Sequence, residues 1–277
     1  MMLKIPVQEP LIRTILTPDL PDFPEYDGVD LSTLFIGFPK YIPLKGLYLN
    51  LKNFQKGMKN KKLFIYGVGG FAEYAAYVFE NDSDYEVVGT CIEKNYLENN
   101  PRDLNNLNVY EEIEDLLLQE HTYLFIAVGN NVVRERIYQM SKQKSIKMAT
   151  YNSSKASTWA NLEIGDNCFI GEGSVIQPFV RIGSNSIFFS ARIGHHCLIG
   201  DHVLLSGPTI GGNVRIGNFS FLGLNSVVLQ KLEIGPKNII GMGVSIKTST
   251  GEGDVYSSAT FIKRKVKFDD ISKNYLN

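Results

Sequence analysis

An α/β unit followed by a parallel β-helix is the fold class the sequence predicts, on two observations. Between positions 164 and 246 an aliphatic residue, usually followed by Gly, returns every six residues, as in IGDNCF, IGEGSV, IGSNSI, IGHHCL and IGDHVL. That period belongs neither to a helix nor to a meander; it marks a solenoid in which each hexapeptide forms one flat side of a coil. Upstream, residues 61–150 alternate apolar strand-like runs with amphipathic helical ones, the pattern of a small parallel sheet covered by helices.

Residues 1–60 are rich in Pro and aromatics (Pro21, Pro24, Pro39 and Pro43 with Phe23, Tyr26, Phe35, Phe38 and Tyr41) and lack a sustained period. They read as an ordered N-terminal extension of unassigned role. Residues 61–155 form a Rossmann-like domain. A strand over 63–66 runs into the turn Gly67-Val68-Gly69-Gly70 and an amphipathic helix. YEVVGTCIE is a second strand, VYEEIEDLLLQ holds a helix, YLFIAVGNN is a buried strand, VVRERIYQMSKQK is a helix and 147–151 is a last strand. His121, between a helix and a strand, reads as structural.

Residues 156–250 are the coil. Its lead aliphatics step by six through Ile164, Ile170, Ile176, Ile182 and Phe188, by five to Ile193, by six to Ile199 and Leu205, and by five again to Ile210. Sixfold steps then resume to Ile246, making roughly five turns with about 4.8 Å between stacked strands. Residues 251–277 read as a polar loop and tail with a short terminal element.

At 277 residues, 44 % hydrophobic and 21 % charged, the chain can build two cores and is not expected to be disordered. Its net charge of −1, without a basic stripe, argues against a nucleic-acid partner. Cys91, Cys168 and Cys197 are widely spaced, and Cys168 and Cys197 take the small inward position of a hexapeptide; they read as buried thiols in a reducing compartment. No membrane span or signal peptide is apparent, so a soluble cytoplasmic protein is expected.

Taken together, the hexapeptides and the G-V-G-G strand–turn–helix unit resemble the NeuD-like sugar acyltransferase family. These are left-handed β-helix hexapeptide acetyltransferases that include N-acetyltransferases of nucleotide-linked 4-amino sugars. The resemblance spans residue 62 to about residue 262. It implies a left-handed coil, where parallel crossovers are otherwise right-handed. It also implies a homotrimer with acetyl-CoA, as acyl donor, lying between neighbouring coils.

Acyl transfer from a thioester needs a base for the nucleophile's proton and a donor for the oxyanion. In the resembled family the base is the first histidine of I-x-H-[DE]-C-x-I-G. Here that unit is Ile193-Gly194-His195-His196-Cys197-Leu198-Ile199-Gly200, which makes His195 the candidate base; imidazole suits the task because it titrates near neutral pH. His196 stands where the family has a carboxylate, with Asp201 as another acid within reach along the chain. The family's oxyanion donor, a backbone N–H, falls on Gly212 of Gly211-Gly212-Asn213-Val214. The spacing agrees: seventeen residues separate His195 from Gly212, one turn shortened by a five-residue step, which puts both on one face of adjacent turns. A further family histidine aligns with Leu204. His202 reads as an exposed rung residue. Zinc is the rival use for the histidines, but His195 and His196 are expected on opposite faces of one strand, so no metal is expected.

By the same resemblance the pantetheine strip of acetyl-CoA falls on Gly223, Leu224 and Asn225 and on Gly241, Met242 and Gly243. Leu224 and Met242 are its backbone contacts. The turn Gly67, Val68, Gly69, Gly70 is the candidate phosphate cradle for a nucleotide-linked sugar. In the family's acidic pair after the second strand, Ile92 replaces one Asp and Glu93 remains. The function expected is CoA-dependent N-acetylation of a nucleotide-linked deoxyamino sugar for surface glycan biosynthesis. The alternatives are O-acetylation of a sugar hydroxyl, as on sialic acid, and a catalytically weakened sugar- or nucleotide-binding trimer.

Overall fold

The computed structural model describes residues 59–93, 108–110 and 122–258. The N-terminal extension up to residue 58, the helix expected after Tyr110, His121 and the tail from residue 259 lie outside the described residues.

The α/β part runs β1 (Lys61–Tyr66), α1 (Gly70–Asn81), β2 (Tyr85–Cys91), β3 (Asn108–Tyr110), β4 (Thr122–Ile126), α2 (Asn131–Gln143) and β5 (Lys147–Met148). All strands pair in parallel in the order β3-β2-β1-β4-β5. β1 is central and apolar on both faces. Leu63 and Ile65 pack with Ala72, Ala75 and Phe79 of α1, while Phe64 and Tyr66 pack with Ile137 and Tyr138 of α2. The strand order turns back between β1 and β4, where a parallel sheet opens a crevice beyond its carboxyl ends. Gly67 leaves β1 there with φ 129°, and a Cβ on it would stand 3.0 Å from the Ala127 carbonyl oxygen. Only glycine fits that turn. α1 then starts at Gly69 with no side-chain cap among the described residues, whereas α2 is capped by Asn130 Oδ1, which accepts from the Val132 and Val133 N–H groups at 3.0 and 3.1 Å.

The strand expected over 147–151 divides. β5 closes the α/β sheet, and Tyr151–Asn152 already belongs to the coil, where the Tyr151 N–H donates to Cys168 O at 2.8 Å.

The coil is a left-handed parallel β-helix of three sheets. Sheet I has five strands, from Glu163–Ile164 to Glu233–Ile234. Sheet II has seven, from Tyr151–Asn152 to Val255–Tyr256, and sheet III has five, from Val175–Ile176 to Ser245–Ile246. The lead aliphatics form one axial core, and both five-residue steps keep register, pairing Ile193 with Ile210 and Phe188 with Leu205. Cys91, Cys168 and Cys197 are all buried. The Cys168 and Cys197 thiols each reach a corner carbonyl at 3.1 Å, and burial pushes Cys168 up to about 12.

Sheet II is covered on its outer side. Phe169, Ile187, Phe189 and Leu204 point away from the coil axis into the α1 core, with Phe71 5.3 Å from Phe169 and 5.2 Å from Phe189 between ring centres. Polar contacts lock the same seam. Asp82 accepts from Tyr151 Oη (2.6 Å), Ser153 Oγ (3.2 Å) and the Ser154 N–H (3.0 Å), which holds its carboxyl below the usual range despite burial. Arg134 of α2 is fully buried and donates to the carbonyls of Val128, Gly129, Asn185 and His202 and to Asn131 Oδ1 at 2.9–3.2 Å. Burial pushes its guanidinium down to about 10, and it is satisfied by carbonyl dipoles rather than a carboxylate. Among the described residues no helix is long and apolar enough to cross a membrane.

Candidate active site

His195 and His196 sit at the corner where sheet III passes into sheet I, between the strands Arg192–Ile193 and Leu198–Ile199. Ile193 and Cys197 are buried anchors on either side of Gly194, His195 and His196, and the two histidines are thrown outward. The third position of this corner is left-handed on successive turns: Phe179 at φ 66°, His196 at 58°, Asn213 at 59° and Lys231 at 62°. The expectation that the adjacent histidines point to opposite faces is therefore wrong. Strand alternation does not hold across a left-handed corner, and the two rings converge outside the coil with Nδ1 atoms 3.0 Å apart.

Each histidine is held by the turn below. The His195 N–H donates to Gln177 Oε1 at 3.0 Å and the His196 N–H to Pro178 O at 3.2 Å, while the His196 ring lies 4.7 Å from Phe179. From the turn above, the Asn213 N–H donates to His195 O at 2.8 Å. This places Gly212 against the imidazole edge: a Cβ on Gly212 would stand 2.8 Å from both Cε1 and Nε2 of His195. Spacing alone had aligned these two, and the coil brings them together.

The backbone N–H of Gly212 makes no hydrogen bond among the described residues. One turn down, the equivalent N–H, that of His195, is capped by the Gln177 side chain; at Gly212 the corresponding residue is Gly194, which has none. A Cβ on Gly194 would stand 2.5 Å from Gly212 N. Gly194, Gln177 and Phe179 thus shape the site, and sequence reading missed all three. Their signal was present, since all three sit at corner positions of the repeat, Gln177 and Phe179 in one hexapeptide and Gly194 in another.

Other candidates fall elsewhere. Asp201 does not serve His195; its Oδ1 accepts from the Ser184 N–H at 2.7 Å at the corner between sheets I and II. His202, expected exposed, is buried at that same corner, 2.8 Å from Asn185 Nδ2 through its Nδ1 and stacked 4.6 Å from Phe219. The α2 helix covers this corner, which the repeat alone could not reveal. Leu204 lies on sheet II, packed against the α/β core. Among the described residues no three His, Cys, Asp or Glu side chains gather as metal ligands.

Gly223, Leu224, Asn225, Gly241, Met242 and Gly243 line the third corner, between sheets II and III. Leu224 and Met242 are exposed, and neither donates its N–H to a partner among the described residues. On one chain these residues and His195 occupy different edges of the prism, on either side of sheet III. Gly67 to Gly70 and Glu93 lie at the carboxyl end of the α/β sheet. There Ile92 is core, and Glu93 pairs bidentately with Arg136 of α2, at 2.7 and 3.1 Å. Gly69 and Gly70 have open space where a Cβ would go.

Comparison with known proteins fits both parts. Residues 62–141 match the PglD N-terminal domain family and residues 161–188 the bacterial transferase hexapeptide (six repeats) family. A GDP-perosamine N-acetyltransferase from Escherichia coli is 31 % identical over 129 residues, 44 % of this chain and 55 % of that protein. A 2,3,4,5-tetrahydropyridine-2,6-dicarboxylate N-succinyltransferase from Xylella fastidiosa is 30 % identical over 95 residues, 33 % of this chain and 31 % of that protein. The chain thus spans at most about half the length of these relatives. Among solved structures, the acetyltransferase domain of PglB from Neisseria gonorrhoeae in complex with acetyl coenzyme A has a TM-score of 0.63 at 23 % identity, covering 71 % of this chain and 95 % of that one. A mutant of perosamine N-acetyltransferase from Caulobacter crescentus, in complex with CoA and GDP-perosamine, has a TM-score of 0.63 at 19 % identity, covering 71 % and 93 %. The fold is that of these acetyltransferases.

Proposed function

From a chain that joins a PglD-type N-terminal domain to a hexapeptide-repeat coil, we propose a CoA-dependent sugar N-acetyltransferase acting on a nucleotide-linked deoxyamino sugar. The observation that carries this reading is the apposition, across adjacent turns, of the His195 imidazole and the Gly212 N–H, which has no hydrogen-bond partner among the described residues. As the sugar amine attacks the thioester carbon, the new C–N bond forms and the carbonyl electron pair moves to oxygen, where Gly212 N–H stabilises it. His195 Nε2 takes the amine proton. Collapse of the oxyanion breaks the C–S bond, and the proton passes from His195 to the leaving thiolate.

The acetyl-CoA strip at Leu224 and Met242 reaches His195 in a homotrimer. Sheet III and its two edges expose Val175, Phe179, Leu224, Val227, Leu229 and Met242, each more than 40 % accessible. Threefold packing buries this apolar face and brings the Leu224 corner of one copy to the His195 corner of the next. The nucleotide lies in the β1/β4 crevice. There the start of α1 favours phosphate, and the Glu93–Arg136 pair, rather than a free carboxylate, meets the nucleoside. Acetyl-CoA as donor, together with the buried Cys168 and Cys197 thiols, supports a reaction in the cytoplasm, with the product destined for a surface glycan.

The test is incubation with acetyl-CoA and a panel of GDP- and UDP-linked amino and hydroxy sugars, followed by mass spectrometry. One acetyl group gained on an amine is expected. Gain on a hydroxyl would make the enzyme an O-acetyltransferase, and no transfer to any acceptor would overturn the acyltransferase reading.

A further inference from the structure

We infer that His196 is a positioning residue: a neutral imidazole that accepts the His195 Nδ1–H and so fixes His195 in the one tautomer able to act as base. The inference rests on the acyltransferase reading of this corner and gives His196 a role of its own within it.

Two ring nitrogens 3.0 Å apart can share only one proton, so one is the donor and the other the acceptor. If His196 donated, His195 would accept at Nδ1 and carry its own proton on Nε2. The edge against Gly212 would then present an N–H and could take nothing from an amine. If His195 donates, its Nε2 holds the free lone pair, on the edge that lies against Gly212. When Nε2 gains a proton, the resulting imidazolium keeps the same Nδ1–H donation, so no ring has to turn during the reaction. The requirement falls on His196, which must be the Nε2–H tautomer. Its ring is held in place by Phe179 at 4.7 Å.

A neutral acceptor holds the geometry but stabilises an imidazolium less than a carboxylate does. Position 196 is also well suited to substitution. His196 has φ 58°, and the equivalent corner positions already hold Phe179 at φ 66° and Asn213 at 59°. Phenylalanine and asparagine are therefore both compatible with this backbone. His196→Phe keeps a ring against Phe179 and deletes the acceptor; His196→Asn puts an amide oxygen where Nδ1 stands; His196→Asp adds a charge there.

The experiment combines 15N NMR of the histidine rings with steady-state kinetics of these variants. In the wild type the His195 proton should sit on Nδ1, and in His196→Phe it should move largely to Nε2. His196→Phe should lower kcat by about 10- to 100-fold with both KM values unchanged, His196→Asn should recover most of it, and His196→Asp should equal or exceed the wild type. A His195 proton on Nε2 in the wild type, or a His196→Phe enzyme with wild-type kcat, would overturn the inference. The NMR arm needs no substrate, so it stands or falls apart from the acyltransferase reading.

Discussion

Gly194 and Gly212 decide how closely successive turns approach at the corner that carries His195. With side chains absent from both, the Gly212 N–H lies against the Gly194 backbone without a cap among the described residues, and the imidazole can settle against Gly212. Gly194→Ala would put a methyl 2.5 Å from Gly212 N, and backbone cannot yield as a flexible side chain does. We expect a loss of about 1–3 kcal/mol, seen as a Tm lower by roughly 3–10 °C, and at least about a tenfold fall in turnover. A Tm and rate equal to the wild type would show that this close approach is unimportant. Residue by residue, the His195–Gly212 apposition was legible because it follows from counting steps along a repeat. The meeting of His195 with His196 was not, because a left-handed corner reverses the alternation that a strand would impose.

Elements explain what the repeat concealed. Hexapeptides predict inward residues well, yet Phe169, Ile187, Phe189 and Leu204 are apolar residues facing outward on a single sheet. Their shared sheet was the signal that a second layer covers it, and α1 is that layer. At the adjoining corner a polar ladder runs from the Ile126 N–H to Asn167 Oδ1 (2.9 Å), from Asn167 Nδ2 to Asn185 Oδ1 (2.6 Å) and from Asn185 Nδ2 to His202 Nδ1 (2.8 Å). The backbone N–H sets the direction of every link, so His202 must accept at Nδ1 and be neutral there. Burial is the main force lowering its pKa below the ordinary 6.5, and the Arg134 charge adds to it. The unfolded chain then binds more protons than the folded one as pH drops below 6.5. This contribution to stability is whole above that value and is lost as pH falls towards the lowered pKa. Between pH 7.5 and 5.5 the wild type should lose more Tm than His202→Asn, which keeps an acceptor but cannot titrate. Parallel Tm–pH curves would contradict this. Asp82 and Asp166, whose pKa values lie below their ordinary 3.8, act only at more acidic pH and leave the window clear.

At the scale of the whole molecule, the prism assigns different tasks to different edges. One corner seals the coil to α2 through Arg134 and His202, one presents His195, and one presents Leu224 and Met242. The two-part architecture was readable from periodicity and β–α alternation. The docking of the α/β sheet on the coil was not, because it depends on outward residues to which a repeat gives no rule. The central claim is that the His195 corner performs acyl transfer. Its most direct test is His195→Ala, measured for acetyl transfer to the acceptor and, by calorimetry, for acetyl-CoA binding. The account predicts a loss of turnover of about 100-fold or more with acetyl-CoA affinity retained. Turnover at the wild-type rate would contradict it.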